Sequence, residues 1–140
     1  MDETGIPEDF SRHIRRSGLT ELWEPIYAKV TPRAYILALR AAEQHANSRG
    51  FVHGGLLTAL ADNAMGLSCA QALGGDARLV TVSLAIDFLG TARLGQWIEV
   101  DTHFVKTGRR LCFAQAFVLA DGAPCARANA TFAVPVEAKA

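Results

Sequence analysis

Hydrophobic residues are arranged in two different ways along this chain. From Leu56 to Leu73, apolar side chains fill almost every position. A run of roughly twenty residues that is apolar all round predicts a buried helix. Asp62, Asn63, Ser68 and Gln71 interrupt it. These interruptions, together with the strands predicted around the run, favour a helix in a protein core over a membrane span.

The second half of the chain alternates between apolar and polar residues, which predicts strands. Leu73-Gly74-Gly75 predicts a sharp end to the helix, and Asp121-Gly122 predicts a hairpin turn. The predicted strands span residues 78–88, 96–106, 110–120 and 125–136. Long strands joined by short turns predict an antiparallel meander with one covered face.

The same alternation assigns the side chains of each strand to two faces. In the first strand, one face holds Val80, Val82, Leu84, Ile86 and Phe88, and the other holds Leu79, Thr81, Ser83, Ala85 and Asp87. In the second strand, one face holds Ile98, Val100, Thr102 and Phe104.

The first part of the chain predicts a short helix and a hairpin. Pro7 followed by two acidic residues predicts a surface helix that ends near Ser17. Residues 25–46 indicate two strands joined by a Thr-Pro-Arg turn, although the composition of the second strand also suits a helix. We therefore expect one domain over residues 1–140, with residues 1–19 as an N-terminal extension that carries the short helix.

One apolar helix, five to six antiparallel strands and short connections define an α+β domain. The helix can be buried only if the sheet curls around it. The sequence therefore predicts a long central helix wrapped by a curved antiparallel sheet of five to six strands.

Composition and charge exclude several classes of protein. The chain is 50% hydrophobic and 20% charged, which indicates a globular protein. Its formal net charge is zero and it has no basic run, which argues against nucleic acid as a partner and permits self-association. Cys69, Cys112 and Cys125 lack disulfide or zinc spacing and are interpreted as buried thiols. The acidic N-terminus lacks the apolar core of a signal peptide, so we expect a cytoplasmic protein that does not enter a membrane.

Asp62 is the residue least suited to its surroundings. A carboxylate in the middle of an apolar helix is costly unless it is paired or hydrogen-bonded. Carboxylates in such settings are candidates for functional sites. The alternative is a structural role, in which Asp62 caps a local turn or pairs with an arginine from a strand.

A motif around this helix resembles a known family. The pattern N-x-x-G-x-x-H-G-G followed by L-x-x-L-A-D-x-A is similar to that of the hotdog-fold thioesterases, in the branch of the phenylacetate-pathway and mammalian superfamily members. The matching residues are Asn47, Gly50, His53, Gly54, Gly55, Leu60, Asp62 and Ala64, and the similarity continues through residues 81–95. The resemblance implies a homodimer, often paired into a tetramer, that hydrolyses acyl-coenzyme A thioesters without a metal or another cofactor.

Thioester hydrolysis requires a donor for the carbonyl oxygen and an activated nucleophile. The backbone N–H of Gly55, at the helix start, is the candidate donor, and Asp62 is the candidate base or nucleophile. Seven residues separate the two, so they lie roughly 10 Å apart along one helix. We therefore expect two facing helices in a dimer, with Gly55 of one protomer near Asp62 of the other.

The remaining candidates follow from the resemblance and from position. Asn47 is expected to orient the water or the thioester, and Thr81 to help hold the water, with Ser83 on the same strand face. His53 and Gly54 are expected to shape the loop around the substrate, and Met65 and Gly66 to line the acyl pocket. The basic residues expected to bind the phosphates of coenzyme A are Arg93, Lys106, Arg109 and Arg110.

Two alternatives remain open. A hotdog hydratase or dehydratase would use a histidine with a carboxylate, but the H-F-P-G type of motif is not in this sequence. A non-catalytic acyl-coenzyme A sensor would usually carry a DNA-binding segment, and about twenty residues before the first strand are too few for one.

Overall fold

The computed structural model describes residues 5–75 and 77–135, which form one α-helix, two single-turn 3-10 helices (Glu21–Trp23 and Glu43–His45) and one seven-stranded sheet. The strands are β1 (Ser11–Arg12), β2 (Tyr27–Val30), β3 (Tyr35–Arg40), β4 (Val80–Phe88), β5 (Trp97–Lys106), β6 (Leu111–Ala120) and β7 (Ala123–Ala133). The helix α1 spans Gly54–Ala72. The order across the sheet is β1-β2-β3-β5-β6-β7-β4, and all neighbours are antiparallel. The predicted α+β class, the central helix and the six predicted strands are confirmed.

Helix α1 begins and ends where the sequence predicts. The Nδ1 of His53 accepts a hydrogen bond from the Gly55 N–H at 2.8 Å and so caps the first turn. At the other end, Gly75 donates its N–H to the Ala70 carbonyl at 2.8 Å, and both Gly74 and Gly75 have a positive φ. This left-handed backbone favours glycine and stops the helix.

One face of the sheet packs against α1 and forms the main core. Leu60, Ala64 and Met65 of the helix are fully or almost fully buried, as are Ile98, Val100, Cys112 and Phe132 from the strands. A smaller core lies on the outer face of β2, β3 and β5, where Phe10 packs edge-on against Trp97 with ring centroids 5.2 Å apart. The three cysteines are buried and free, as predicted, and burial raises the pKa of Cys69 to about 12.

The predicted N-terminal helix is wrong. Residues 7–10 form a turn in which the Phe10 N–H donates to the Pro7 carbonyl, and the chain then continues as β1 along β2. The His13 N–H extends this pairing to the Ile26 carbonyl at 2.8 Å. Packing of Phe10 on Trp97 and pairing with a sheet edge outweigh a weak local helix signal.

The predicted meander holds only for β5, β6 and β7. Strand β4 does not pair with β5, which follows it in the chain, and instead pairs with β7 at the edge of the sheet. Residues 89–96 therefore carry the chain back to β3, where β5 pairs. Local alternation fixes which side chains share a face, but it does not determine which strands are neighbours.

Two irregularities in strand pairing change the predicted faces. In β5 the pairing shifts between Thr102 and Phe104, so Val105 packs toward the core and Phe104 is 46% exposed. In β4 a similar shift lies between Thr81 and Ser83. One extra residue moves every following side chain to the opposite face.

Helix α1 is not covered all round in the single chain, contrary to the prediction. A stripe on the side away from the core is partly or fully exposed, and it consists of Gly55, Thr58, Ala59, Asp62, Asn63, Gly66 and Leu67. No helix in the described part of the chain is both long and apolar enough to cross a membrane. Val136, the predicted end of the last strand, lies outside the described residues.

Candidate active site

Asp62 lies on the open stripe of α1 and is partly buried. Its Oδ1 accepts a hydrogen bond of 2.8 Å from the Thr81 hydroxyl of β4. This bond fixes the side-chain rotamer of the carboxylate and leaves its second oxygen free to act on another group. The sequence placed both residues in the candidate site, and the structure brings them into contact.

The shift in β4 separates Thr81 from Ser83. Thr81 pairs with Phe132, whose side chain lies in the main core, whereas Ser83 pairs with the next residue of β7, Thr131. Adjacent residues of a strand point to opposite faces, so Thr81 faces the helix and Ser83 faces away from it. The prediction that both hydroxyls share one face is therefore wrong, because β4 has an extra residue at Val82.

A cavity of about 410 Å³ opens beside Asp62. Its lining residues are Arg15, Asp62, Asn63, Gly66, Leu67, Ala70, Ala77, Arg78, Leu79, Thr81 and Phe132. Gly66 is in the lining, as predicted for the acyl pocket. Met65 is fully buried in the core and is absent from this lining. Neighbouring helix residues point 100° apart, and Met65 takes the side that faces the sheet, so its place in the acyl pocket stays a prediction.

The start of α1 presents backbone N–H groups. Gly55 donates its N–H to the His53 ring, so this group already has an acceptor in the single chain. No acceptor is found for the N–H of Gly54 among the residues that the structure describes. A Cβ on Gly54 would lie 3.0 Å from the Phe88 ring of β4, so this glycine also allows a close approach between helix and strand.

Asn47 closes the loop that precedes the helix. Its Oδ1 accepts hydrogen bonds from the backbone N–H groups of Arg49 at 2.9 Å and Phe51 at 3.1 Å. Gly50, with a positive φ, completes this turn. The amide oxygen therefore has a structural role, and within residues 5–75 and 77–135 no acceptor is found for the Nδ2 group.

The predicted catalytic residues form two groups within one chain. Asn47, His53, Gly54 and Gly55 lie at the helix start, and Asp62 and Thr81 lie near its middle. The two groups are roughly 10 Å apart along the helix axis. A single carbonyl carbon cannot contact both groups from the same chain.

The predicted basic residues are also divided. Arg93 forms an isolated bridge with Phe51, beside the helix start. The other three, Lys106, Arg109 and Arg110, lie at or near the turn between β5 and β6. The first residue of β6, Leu111, and the first residue of β4, Val80, both pair with Ala133, so this turn lies beside the start of β4. It is therefore at the opposite end of the helix from Arg93. The helix is about 28 Å long, so one coenzyme A cannot contact both groups of one chain with the same phosphate.

Sequence reasoning missed two arginines in the Asp62 cavity, Arg15 and Arg78. Arg15 belongs to the N-terminal extension, which the sequence assigned to a surface helix. Arg78 lies just before β4 and belongs to no motif. Within the described residues, no group of three or more His, Cys, Asp or Glu side chains is close enough to hold a metal ion.

Comparison with known proteins agrees with this architecture. A family model for the thioesterase superfamily matches residues 49–125. The chain is 38% identical over 131 residues to a Pseudomonas aeruginosa protein with a provisional esterase name. The aligned region covers 93% of this chain and 98% of that protein. It is 33% identical over 117 residues to human acyl-coenzyme A thioesterase 13, with 79% of this chain and 81% of that protein covered.

A solved structure shows the same fold. A hypothetical thioesterase of Streptococcus pneumoniae, solved with coenzyme A, superposes with a TM-score of 0.70 at 20% identity, over 79% of this chain and 85% of that one. One long helix on an antiparallel sheet in this arrangement is the hotdog fold. The chain belongs to the thioesterase superfamily.

Proposed function

We propose that this protein hydrolyses acyl-coenzyme A thioesters to a free acid and coenzyme A. The observation that carries the proposal is the Asp62 carboxylate, which is held by the Thr81 hydroxyl and faces a cavity. The name of the human relative supports the substrate class, because that protein is an acyl-coenzyme A thioesterase.

Asp62 supplies the nucleophile or activates it. In one route its free oxygen attacks the thioester carbon, the coenzyme A thiolate leaves, and water then hydrolyses the mixed anhydride. In the other route Asp62 takes a proton from a water molecule, whose oxygen attacks the carbon directly. The Thr81 hydroxyl orients the carboxylate in both routes. Both routes end in the same acid and the same thiol.

The oxyanion is stabilised by the helix start. Negative charge develops on the carbonyl oxygen as the nucleophile adds, and N–H groups at the N-terminus of a helix stabilise such a charge. Gly55 remains a candidate donor if the His53 ring turns away from it. Gly54 is the better donor in the conformation observed, because its N–H has no acceptor in the described part of the chain.

A homodimer brings the two halves of the site together. Strand β4 is a sheet edge, and Val80 and Val82 on it are 60% and 58% exposed. An edge of this kind can pair with another strand. If two copies of β4 pair antiparallel about Ala85, Leu84 of one protomer lies opposite Ile86 of the other, and the extra residue at Val82 then brings Thr81 opposite Phe88.

This register joins the complementary groups. Thr81 contacts Asp62 in its own chain, and Phe88 contacts Gly54 in its own chain. The pairing therefore places the Asp62 carboxylate of one protomer beside the partner's Gly54. The dimer contains two equivalent sites, each of which uses residues from both chains. Pairing of two such dimers into a tetramer remains an expectation from the resemblance.

Replacement of Asp62 tests the proposal. We expect Asp62→Asn to lower the release of free thiol from a panel of acyl-coenzyme A substrates by roughly two to four orders of magnitude. The matched control is Asp9→Asn, because Asp9 is exposed and pairs with Lys29 away from this cavity. Near-native turnover by Asp62→Asn with an unchanged circular dichroism spectrum would refute the role of Asp62. Turnover of enoyl substrates without thiol release would indicate a hydratase instead.

A further inference from the structure

We propose that Arg15 and Arg78 bind a carboxylate carried by the acyl group, so that the preferred substrates are short acyl chains that end in an acid. This inference rests on the proposed thioesterase function. It concerns the Asp62 cavity, which both arginines line. Arg15 belongs to the N-terminal extension, and Arg78 belongs to the segment before β4.

Arg15 and Arg78 are among the basic residues that have no ion pair within residues 5–75 and 77–135. Ion pairs within the described residues neutralise Arg12, Arg16, Lys29 and Arg127, which pair with Glu24, Glu21, Asp9 and Asp87. Neither Arg15 nor Arg78 has an acidic partner in that part of the chain. Guanidinium groups bind carboxylates with two parallel hydrogen bonds.

Arg15 lies over a continuous groove along the open stripe of α1. Two further cavities, of about 270 Å³ and 380 Å³, adjoin the Asp62 cavity, and Arg15 and Leu67 line all three. Leu67 and Ala70 are spaced three apart on the helix and form an apolar floor. An acyl chain that starts at Asp62 can therefore lie on this floor and reach Arg15.

The distance from Asp62 decides which anion Arg78 can hold. Arg78 lies three residues before Thr81, which contacts Asp62, so the two backbone positions are within about 10 Å of each other. The extended pantetheine arm of coenzyme A is as long as about four residues of extended chain, roughly 14 Å. When that arm is extended, a phosphate of coenzyme A lies farther from the thioester than Arg78 lies from Thr81. An anion held by Arg15 and Arg78 belongs to the acyl side, with a chain of roughly four to six carbons.

Electrostatics supports the same assignment. Among residues 5–75 and 77–135, Asp62 is the one carboxylate in the lining of the cavity. A second carboxylate brought in by a substrate would be repelled by Asp62 without compensation. Two guanidinium groups at the cavity attract the substrate carboxylate and so offset its repulsion by Asp62. They also make a neutral acyl group the poorer ligand, because it leaves both cations without a partner.

Binding of matched acyl-coenzyme A ligands tests the inference independently of turnover. Titration calorimetry compares adipyl-coenzyme A with hexanoyl-coenzyme A, which have the same chain length and differ in the terminal carboxylate. All proteins carry Asp62→Asn, so that the thioester ligands are not hydrolysed during the titration. We expect adipyl-coenzyme A to bind about tenfold more tightly, and the ratio to fall to about one when Arg15→Gln and Arg78→Gln are added. Arg127→Gln is the control for charge alone, because Arg127 is not in the groove, and it should keep the ratio.

The outcomes separate the possible explanations. A ratio near one in the parent protein, or a ratio that survives the double substitution, overturns the inference while leaving the proposed function intact. If the arginines instead bind the phosphates, the double substitution weakens both ligands equally, and it has no effect on N-acetylcysteamine thioesters, which lack phosphates. Absence of thiol release from every substrate by the wild-type protein refutes the proposed function, and the affinity ratio still decides the inference.

Discussion

The start and the middle of helix α1 present their polar groups in different ways. At the start the groups belong to the backbone, and His53, Gly54 and the loop closed by Asn47 hold them in place. In the middle the group is the Asp62 side chain, which a strand hydroxyl holds at 2.8 Å. In the proposed mechanism, one end stabilises a developing negative charge and the other supplies a base or nucleophile. Because one helix separates them by roughly 10 Å, neither half completes a site alone.

After Asp62→Asn, the largest expected effect comes from removing the donor at the helix start. Gly54→Pro deletes the N–H group, yet proline is well tolerated at the first position of a helix, where Gly54 lies. We expect thioester turnover to fall by about 100-fold to 1,000-fold. Gly54→Ala is the matched control, because it adds a Cβ next to Phe88 but keeps the N–H. If both variants lose activity equally, crowding against Phe88 explains the loss and Gly54 is not the donor.

Mixing two inactive variants tests whether the halves come from different chains. A dimer of one Asp62→Asn protomer and one Gly54→Pro protomer has one intact site and one with both changes. Random exchange in an equal mixture makes about half of the dimers mixed, so we expect about a quarter of wild-type activity to return. The measurement is thiol release after denaturation and refolding together. Activity that stays at the level of the separate variants would place each site within a single chain.

A smaller effect distinguishes two roles of Asn47. Asn47→Asp keeps the oxygen that closes the loop but lacks the NH₂ donor, whereas Asn47→Ala lacks both. If the amide contacts the substrate, we expect both variants to lower kcat by about tenfold. Thermal denaturation should then show a lower Tm for Asn47→Ala only. Near-native turnover by Asn47→Asp would limit Asn47 to its role in the turn.

Much of the fold was predictable because it depends on local patterns. The apolar run with glycines at both ends predicts α1, and period-two alternation predicts six strands. The predictions that were wrong concern features that depend on contacts between residues far apart in the chain. Residues 11–12 pair with β2 where a helix was predicted, next to the packing of Phe10 on Trp97, and β4 pairs with β7 across the sheet. The extra residue at Val82 leaves no mark in the alternation, so Ser83 was assigned to the wrong face.

The candidate site divides in the same way. Asp62, Thr81 and Gly55 lie in a stretch that resembles a known family, so the sequence named them as catalytic candidates. The preference for the Gly54 N–H follows only from the hydrogen bond between Gly55 and His53. Arg15 belongs to no motif, and only the path of the N-terminal extension brings it to the cavity beside Asp62. The same holds for Arg78.

The sequence by itself determined the class of fold, the buried helix and the acid within it, because hydrophobic period and residue chemistry are local properties. The tertiary structure alone decided which strand forms the free edge, which side of α1 remains open and which cations border the acid. Those features depend on side chains and strands that are far apart in the chain, and their positions follow only from how the sheet and helix pack together.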